Sequence, residues 1–448
     1  MEKKKVALLK NFWGIGQFGN SIYTYLETAF FTIFLTDVAK FPIALAGGIL
    51  TFTATADFII APLMGSVINL MKSLKWGRNR SWLLLGPIIL LPFAVLQYTV
   101  FGNGIVAAAL LSAVYIIGHI LLNLSYTADV AIIPCIAADE KMRLKLNSNR
   151  MVGSNLGRLA NSYVVPTVIA ALTSMSISEE KIYVILASGF SLVLMFGYLC
   201  EFFMTKGMES SNKNAESLEN ADRLSFKDML AAFKDSTNLP AIVVADLGSN
   251  IGSFLIPTLN VYYYKYVAIN IPNVGLANHL LITGLCGLCG AKLAGMFRKA
   301  VKNKKNYLLS VYLLVSLSCV LSRIFAFNGY IFVIFQGIMQ LLIGTSQPFE
   351  LDLYMETAAY HEQETGKNVT PFIMGLTNVP AKLSVIIRGV VISLTLSLAG
   401  YVPGAEITPM LQSGLANGYL IVPGTVPLIS FIALLFFYKI KPKASETL

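Results

Sequence analysis

Residues 205–238 read TKGMESSNKNAESLENADRLSFKDMLAAFKDSTN, the one long polar stretch in a chain that otherwise alternates apolar runs with short charged connections. Of the 448 residues, 55% are hydrophobic and only 13% charged, against the roughly one-quarter charged content of soluble domains. A water-soluble fold is excluded on that balance. The polar stretch therefore acts as a divider between two apolar halves, 1–204 and 239–448. A bilayer core takes about 20 apolar residues as helix, and cutting at charge clusters and at Pro, Gly and Asn breaks yields six such segments on each side. The expected spans are 11–36, 43–71, 82–101, 104–134, 150–173, 181–204, 239–264, 273–297, 306–327, 329–354, 370–399 and 416–438. The fold class that follows is an all-α integral membrane protein: 12 transmembrane helices in two six-helix bundles, 1–204 and 239–448, joined by a central loop at 205–238. The Ser/Asn/Glu-rich start of the loop reads as a flexible linker. SFKDMLAAF has the apolar spacing of a helix lying on the membrane surface. No internal repeat is visible in the residues, although repeated topology outlasts sequence similarity.

The 34 Lys and Arg exceed the 24 Asp and Glu by a formal net charge of +10, and their placement explains the excess. Twenty-five basic residues fall on one side of the expected membrane, in the N-terminus, the alternate connections and the C-terminal tail. Only Lys40, Lys181 and Lys265 fall on the other side, and six lie within spans. By the positive-inside rule both termini and the long loop are cytoplasmic, in a multi-pass protein of the cell inner (plasma) membrane. The surplus faces anionic lipid, so the lipid bilayer is a partner and nucleic acid is not. The basic start MEKKKVALLK leads into an apolar run too long for a signal peptide and without a small-residue cleavage site, so the first span is expected to stay. Cys135, Cys200, Cys286, Cys289 and Cys319 all lie in or beside apolar runs and read as packing residues rather than as a disulfide framework or zinc cage.

No HExxH, GxSxG or clustered His/Cys set appears, so the chain reads as no enzyme, with no cofactor. What remains is the short list of charges inside spans. A charged side chain at the bilayer centre is costly and normally faces a cavity with a partner. The acids are Glu27, Asp57, Asp129 and Asp246; the bases are Lys382, Arg388 and Arg150, while Glu350 and Asp352 sit near a cytoplasmic end, in a vestibule or a site. Twelve spans with so few internal charges suit a secondary transporter. Asp57 beside Lys382 from the other half would form a pair whose attraction depends on the proton or cation present, the expected coupling unit. A proton needs one carboxyl group, whereas sodium favours more oxygen ligands and would draw on Asn123, Asp129 or backbone carbonyls; the coupling ion is H+ or Na+. His119 precedes Asn123 by one helical turn and reads as a proton relay or a structural residue. Asp246 and Asn250 share one helix face at i and i+4. Polar solutes are held by aromatic faces and a few placed hydrogen-bonding groups. Tyr23, Tyr25, Glu27, Tyr126, Arg150, Asp246, Asn250 and Gln347 are therefore the candidate substrate-binding residues. Tyr262, Tyr263, Tyr264 and Tyr266 read as an interfacial aromatic belt. Gly153 and Gly157 form GxxxG, the signature of a close helix contact, and Pro134, Pro166 and Pro257 are expected to break or kink their helices.

Several stretches together carry a family resemblance. WGIGQFGNSIYTYLETAFFTIFLTDVA, ADFIIAPLMGSVINLMKSLKWGRNRSWLLLGP, YTADVAIIPCIAADEKMRLKLNSNR, METAAYHEQETGKN and NVPAKLS resemble, in order and spacing, the glycoside-pentoside-hexuronide:cation symporters, the melibiose permease group of the major facilitator superfamily. The resemblance implies that superfamily's architecture and cation-coupled symport of a small polar solute, a glycoside or sugar derivative, by alternating access. It also implies a monomer whose partners are the solute and the coupling cation. The alternative is a same-fold transporter of a non-sugar amphipathic or lipid-like solute. Asp57 matches the first acid of the family's DxxxDP motif, whose second acid is Ala61 here. The sugar-contacting acid of the first helix falls on Ser21, and the acid of the fourth falls on Tyr126, with Asp129 one turn away. Lys382 and Arg150 match functional basic residues, Asn123 a polar cation ligand and Asn250 a polar position of helix seven. The WGRNR loop resembles the superfamily's basic gating loop, with Asp139, Glu140, Arg143, Glu356, Glu362 and Glu364 as its acidic and basic counterparts.

Overall fold

The computed structural model describes residues 2–71, 73–137, 139–209, 237–298, 300–365, 373, 376–404 and 406–440. The surface helix expected at SFKDMLAAF lies outside the described residues. Among those described, the only β feature is an isolated bridge between Leu74 and Gly77. The chain divides into two units, Met1–Ala221 and Asp222–Leu448.

In the first unit α1 (Glu2–Phe12) leads into α2 (Ile15–Ile33), which continues as a π-helical turn, Phe34–Val38. α3 (Ile43–Ile60) runs on through a 3₁₀ turn into α4 (Met64–Leu70), followed by α5 (Arg80–Gln97) and α6 (Ile105–Ala131). The short α7 (Ile133–Ile136), α8 (Glu140–Ser174) and α9 (Glu179–Met204) complete it. The second unit holds α10 (Asn238–Tyr262), α11 (Leu276–Phe297), α12 (Lys304–Ile324), α13 (Gly329–Thr365), α14 (Asn378–Leu398), α15 (Pro409–Ile421) and α16 (Val426–Phe437).

Nine helices among the described residues are long and apolar enough to cross a bilayer. The other three expected spans fall on α2, α8 and the pair α15–α16. α2 is diluted by Gln17, Asn20, Ser21, Thr24 and Glu27, and α8 by a charged first half, EKMRLKLNSNR. The last expected span, 416–438, is two helices, because Pro423 and Gly424 interrupt it after Ile421. Two loops expected between spans are helical: α8 already begins at Glu140, where Asp139 caps it by accepting from Met142 N at 2.7 Å, and α13 runs on to Thr365. Of the three prolines, Pro134 accompanies the break between α6 and α7, whereas α8 and α10 run continuously past Pro166 and Pro257.

Helix association inside a membrane relies on close packing rather than on hydrophobic drive, so small residues mark the contacts. α2 is the centre of its unit, lying between α8 and α9. A Cβ on Gly153 would collide with the Gly14 carbonyl oxygen, and one on Gly157 with that of Phe18, so GxxxG seats α8 directly on the α2 backbone. Gly19 and Gly197 do the same between α2 and α9. Gly14 has a second reason to be glycine: its φ of 110° is the left-handed turn that joins α1 to α2.

The five principal pairings of the first unit are α2 with α8 and α9, α5 with α6 and α9, and α3 with α6. They recur as α10 with α14 and α16, α12 with α13 and α16, and α11 with α13. Each unit is thus the same six-helix arrangement, a repeat the residues themselves do not display.

Gly153→Leu forces the α2–α8 backbones apart and is expected to cost about 1–3 kcal/mol or more, the range for overpacking, lowering the melting midpoint of detergent-purified protein. Gly48→Ala, with open space around the added methyl, is the control and stays within about 1 kcal/mol of the parent.

Candidate functional site

Polar side chains on four helices of the first unit meet in one chain of contacts, buried at Tyr23, Glu27 and Gln97 and partly buried at Asp57, His119 and Asn123. Asn123 Nδ2 donates to Asp57 Oδ1 at 2.6 Å, and His119 Nδ1 lies 3.2 Å from the same oxygen. The other ring nitrogen, Nε2, lies 3.0 and 3.2 Å from the two oxygens of Glu27. Gln97 Nε2 donates to Glu27 Oε1 at 2.8 Å, and Tyr23 Oη donates to Gln97 Oε1 at 3.1 Å. Helical periodicity assembles the chain, because Tyr115, His119 and Asn123 are spaced by four on α6, and Tyr23 and Glu27 by four on α2. The Tyr115 ring stacks on the imidazole at 4.0 Å and fixes its plane.

Hydrogen accounting constrains the state of this centre. A neutral imidazole has one N–H and donates through one nitrogen only, yet both nitrogens of His119 face carboxylate oxygens, which accept. Both nitrogens can donate at once only from a protonated ring; a neutral ring donates to one carboxylate and leaves the other contact in need of a hydrogen from elsewhere.

Asp129 does not join that centre. It lies six residues beyond Asn123 on α6, about 9 Å further along the axis on a different face. Its carboxylate is wholly buried and accepts from Arg150 Nε and Gln17 Nε2, both at 2.7 Å, through Oδ2. Arg150, expected to touch solute, is ion-paired here, with its guanidinium 5.3 Å from the Tyr126 ring. Tyr126 itself is 42% exposed. Beside this pair, Glu201 reaches from α9 to accept from Gly14 N at 3.2 Å and Gly16 N at 3.0 Å. The orphan amides at the start of a helix need acceptors; α2 has no capping side chain of its own, and Glu201 supplies one. Ser21, at the position of the family's lost acid, shares a hydrogen bond with Ser154 at 2.8 Å.

In the second unit, Asp246 and Asn250 do share a face: Asn250 Nδ2 donates to Asp246 Oδ1 at 2.7 Å, and Tyr354 Oη donates to Oδ2 at 3.1 Å. Glu350 is buried and accepts from Ser249 at 2.5 Å and Tyr312 at 2.8 Å. Asp352 is buried as well, bonded to Arg298 Nε at 2.6 Å with Lys304 Nζ at 3.5 Å, so neither acid lies in an open vestibule. Lys382 is half-buried on α14, Gln347 is exposed on α13, and Tyr25 is half-buried beside Ser162 and Arg158.

The tyrosine belt is a correction. Tyr262, Tyr263 and Tyr266 are buried inside their unit, where Tyr263 stacks on Phe332 at 4.0 Å and donates to the Ala326 carbonyl at 2.7 Å. Tyr264 and Asn260 hold the buried His279 at 3.1 and 3.0 Å. An amphipathic residue type satisfies an interior site as well as an interface when a partner for its hydroxyl is at hand. The gating loop turns to its own unit: Arg80 donates to the Phe202 carbonyl at 3.0 and 2.9 Å, and Asn79 N and Arg80 N donate to Glu209 at 2.6 and 3.1 Å. Asp139 caps α8, and Glu356 accepts from Lys304 at 2.7 Å.

Gln17, Gln97 and Glu201 were not singled out from sequence. Uncharged amides carry no cost large enough to flag, and Glu201 sits in the last turn of its helix, where it reads as a membrane-edge acid. One signal existed, because an acid in a final helical turn opposes the helix dipole and so calls for an external partner.

Two six-helix units built of bilayer-length helices, with charged groups neutralised inside them, define a polytopic membrane transporter. The chain belongs to the MFS/sugar transport protein family, whose model matches residues 12–442, within the glycoside-pentoside-hexuronide group. It is a transporter and not an enzyme. It is 24% identical to the uncharacterized symporter YjmB of Bacillus subtilis over 98% of this chain and 94% of that one. It is 22% identical to the isoprimeverose transporter of Lactiplantibacillus pentosus (96% and 89% covered) and 21% identical to the glucuronide carrier protein homolog of Escherichia coli (96% and 92%). Among solved structures, the nucleoside transporter NupG superimposes with a TM-score of 0.65 at 13% identity, covering 98% of this chain and 100% of that one, a likeness of fold alone.

Removing one partner of a buried ion pair strands the other. Arg150→Ala is expected to cost about 3–5 kcal/mol on that basis, whereas the double change Asp129→Asn, Arg150→Gln recovers most of it, as read by a double-mutant cycle on detergent melting midpoints.

Proposed function

We propose that the protein is a proton-coupled symporter that imports a glycoside or related sugar derivative by alternating access, as a monomer in the cell inner membrane with both termini cytoplasmic. The orientation is supported by the 25 basic residues on one side against Lys40, Lys181 and Lys265 on the other. The sugar class is supported by relatives named for isoprimeverose and glucuronide transport, and those names disfavour the amphipathic or lipid-like alternative.

The single observation that carries the choice of ion is His119 between Glu27 and Asp57, at 3.0 and 3.2 Å. The imidazole occupies contact positions on both carboxylates that an alkali ion would need, and the trio is built to take up one extra proton. The family's second acid is Ala61, which removes a ligand from sodium but nothing from a proton. Glu27, first assigned to solute, thereby belongs with the coupling group, together with Asp57 and Asn123. In this reading Gln97 and Tyr23 position Glu27, while Arg150 and Tyr126 orient the solute. Drawing Arg150 to an oxygen-rich solute means separating it from Asp129, which links solute binding to rearrangement of the α2–α6–α8 contacts.

Proteoliposome uptake with pH and sodium gradients imposed separately tests this, using a panel of glucuronides and xylose-containing disaccharides. Wild type is expected to accumulate solute under an inward proton gradient. His119→Gln and Asp57→Asn are expected to lose uphill accumulation while retaining exchange of solute down its own gradient. Sodium-driven accumulation by wild type at constant pH would refute proton coupling.

A further inference from the structure

The polar cluster beside α2 contains more unsatisfied groups than a packed interior tolerates. Asp129 Oδ1, Glu201 Oε2, the Tyr198 hydroxyl and Arg150 Nη2 are all buried without a hydrogen-bond partner. Asp129, Tyr198 and Glu201 are 0% exposed. The four groups lie within electrostatic reach of one another. Buried polar groups left unpaired cost about 1–3 kcal/mol each, so an orphan set of this size calls for a missing hydrogen or a missing ligand.

Charge decides which. With Asp129 and Glu201 ionised and Arg150 the only base among their partners, the cluster holds one uncompensated negative charge away from water. A bridging water would satisfy hydrogen bonds but leave that charge. One proton on Glu201 Oε2 removes that charge, and Oε2 is the oxygen that no donor already occupies. The amides of Gly14 and Gly16 both bind Oε1, so they are satisfied in either state and leave Oε2 free to carry hydrogen. Gly16 keeps the space open, since a Cβ there would run into Glu201 Oε2.

We propose that Glu201 is a second proton-binding site, held as a carboxylic acid within the Asp129–Arg150–Tyr198 cluster and separate from the Glu27–His119–Asp57 centre. The charged and titratable groups around it are Asp129 from α6, Arg150 from α8 and Tyr198 from its own α9, with the Gly14 and Gly16 amides of α2 bound to Oε1. Solute binding that draws Arg150 away would leave Asp129 and Glu201 to share the proton, a step in which no covalent bond other than O–H changes. This cyclic role rests on the proton-coupled reading above, but protonation of Glu201 is measured without transport.

The experiment is infrared difference spectroscopy of the whole protein in detergent at neutral pH, wild type minus Glu201→Gln, paired with melting midpoints. The expected difference is a carboxylic-acid C=O band present in wild type and absent from the variant. Gln mimics the protonated acid in shape and hydrogen bonding, so Glu201→Gln is expected to melt with wild type while Glu201→Ala melts several degrees lower. Loss of carboxylate bands instead, or a Glu201→Gln midpoint as low as that of Glu201→Ala, overturns the proposal. So does a sodium-dependent rise in midpoint that wild type shows and Glu201→Gln lacks, which would assign the site to an alkali ion. Failure of proton-driven uptake with the acid band intact would sink the coupling reading and leave this site standing.

Discussion

A charge carried into an apolar helix is costly unless a partner neutralises it. In water an exposed ion pair contributes at most about 1 kcal/mol, and losing it is of little consequence. Inside a bilayer-crossing unit the desolvation of an uncompensated carboxylate dominates, so the placement of each acid dictates what surrounds it. Asp129 is held by Arg150 and Gln17, Asp352 by Arg298 and Lys304, and Glu27 by His119 and Gln97. Where the visible partners do not close the charge, as at Glu201, protonation is the remaining device. A transporter exploits the same constraint, because moving one partner obliges another group or ion to follow.

The close helix packing serves that chemistry. α2 runs against α8 and α9 at glycine contacts, and its buried face supplies Gln17, Tyr23 and Glu27 to two different polar centres. Small residues let the backbones approach, and the approach shortens the reach from α9 to the α2 amides so that Glu201 can cap them. The Glu27–His119–Asp57 centre and the Arg150 cluster thus hang on one helix. A shift of α2 against α8 is felt at both, and under the proposed function that is the physical route from solute to ion.

Much of the fold was legible in the residues. Most of the helices match the expected spans to within a few residues, since apolar run length and charge clusters are strong local signals. What failed locally failed for identifiable reasons. Helix capping by Asp139 turned a supposed loop into ten more residues of α8, and Pro423–Gly424 divided the last span. The tyrosines near 263 met hydroxyl partners indoors rather than at an interface. The five pairings that recur between the units left no trace in the sequence, because packing constrains residue size and polarity at each position but not identity.

The sequence by itself determined that this is a polytopic membrane protein, that its basic residues gather in alternate connections, and which few acids and bases lie inside the spans. Those properties are sums over composition and spacing, and they survive without knowledge of neighbours. Only the tertiary structure decided that Glu27, His119 and Asp57 form one centre and that Asp129 belongs to Arg150 in another. Residues 27, 57, 97 and 119 lie on four helices, and a partner on another helix is fixed by rotation and depth of packing, which no one-dimensional period encodes.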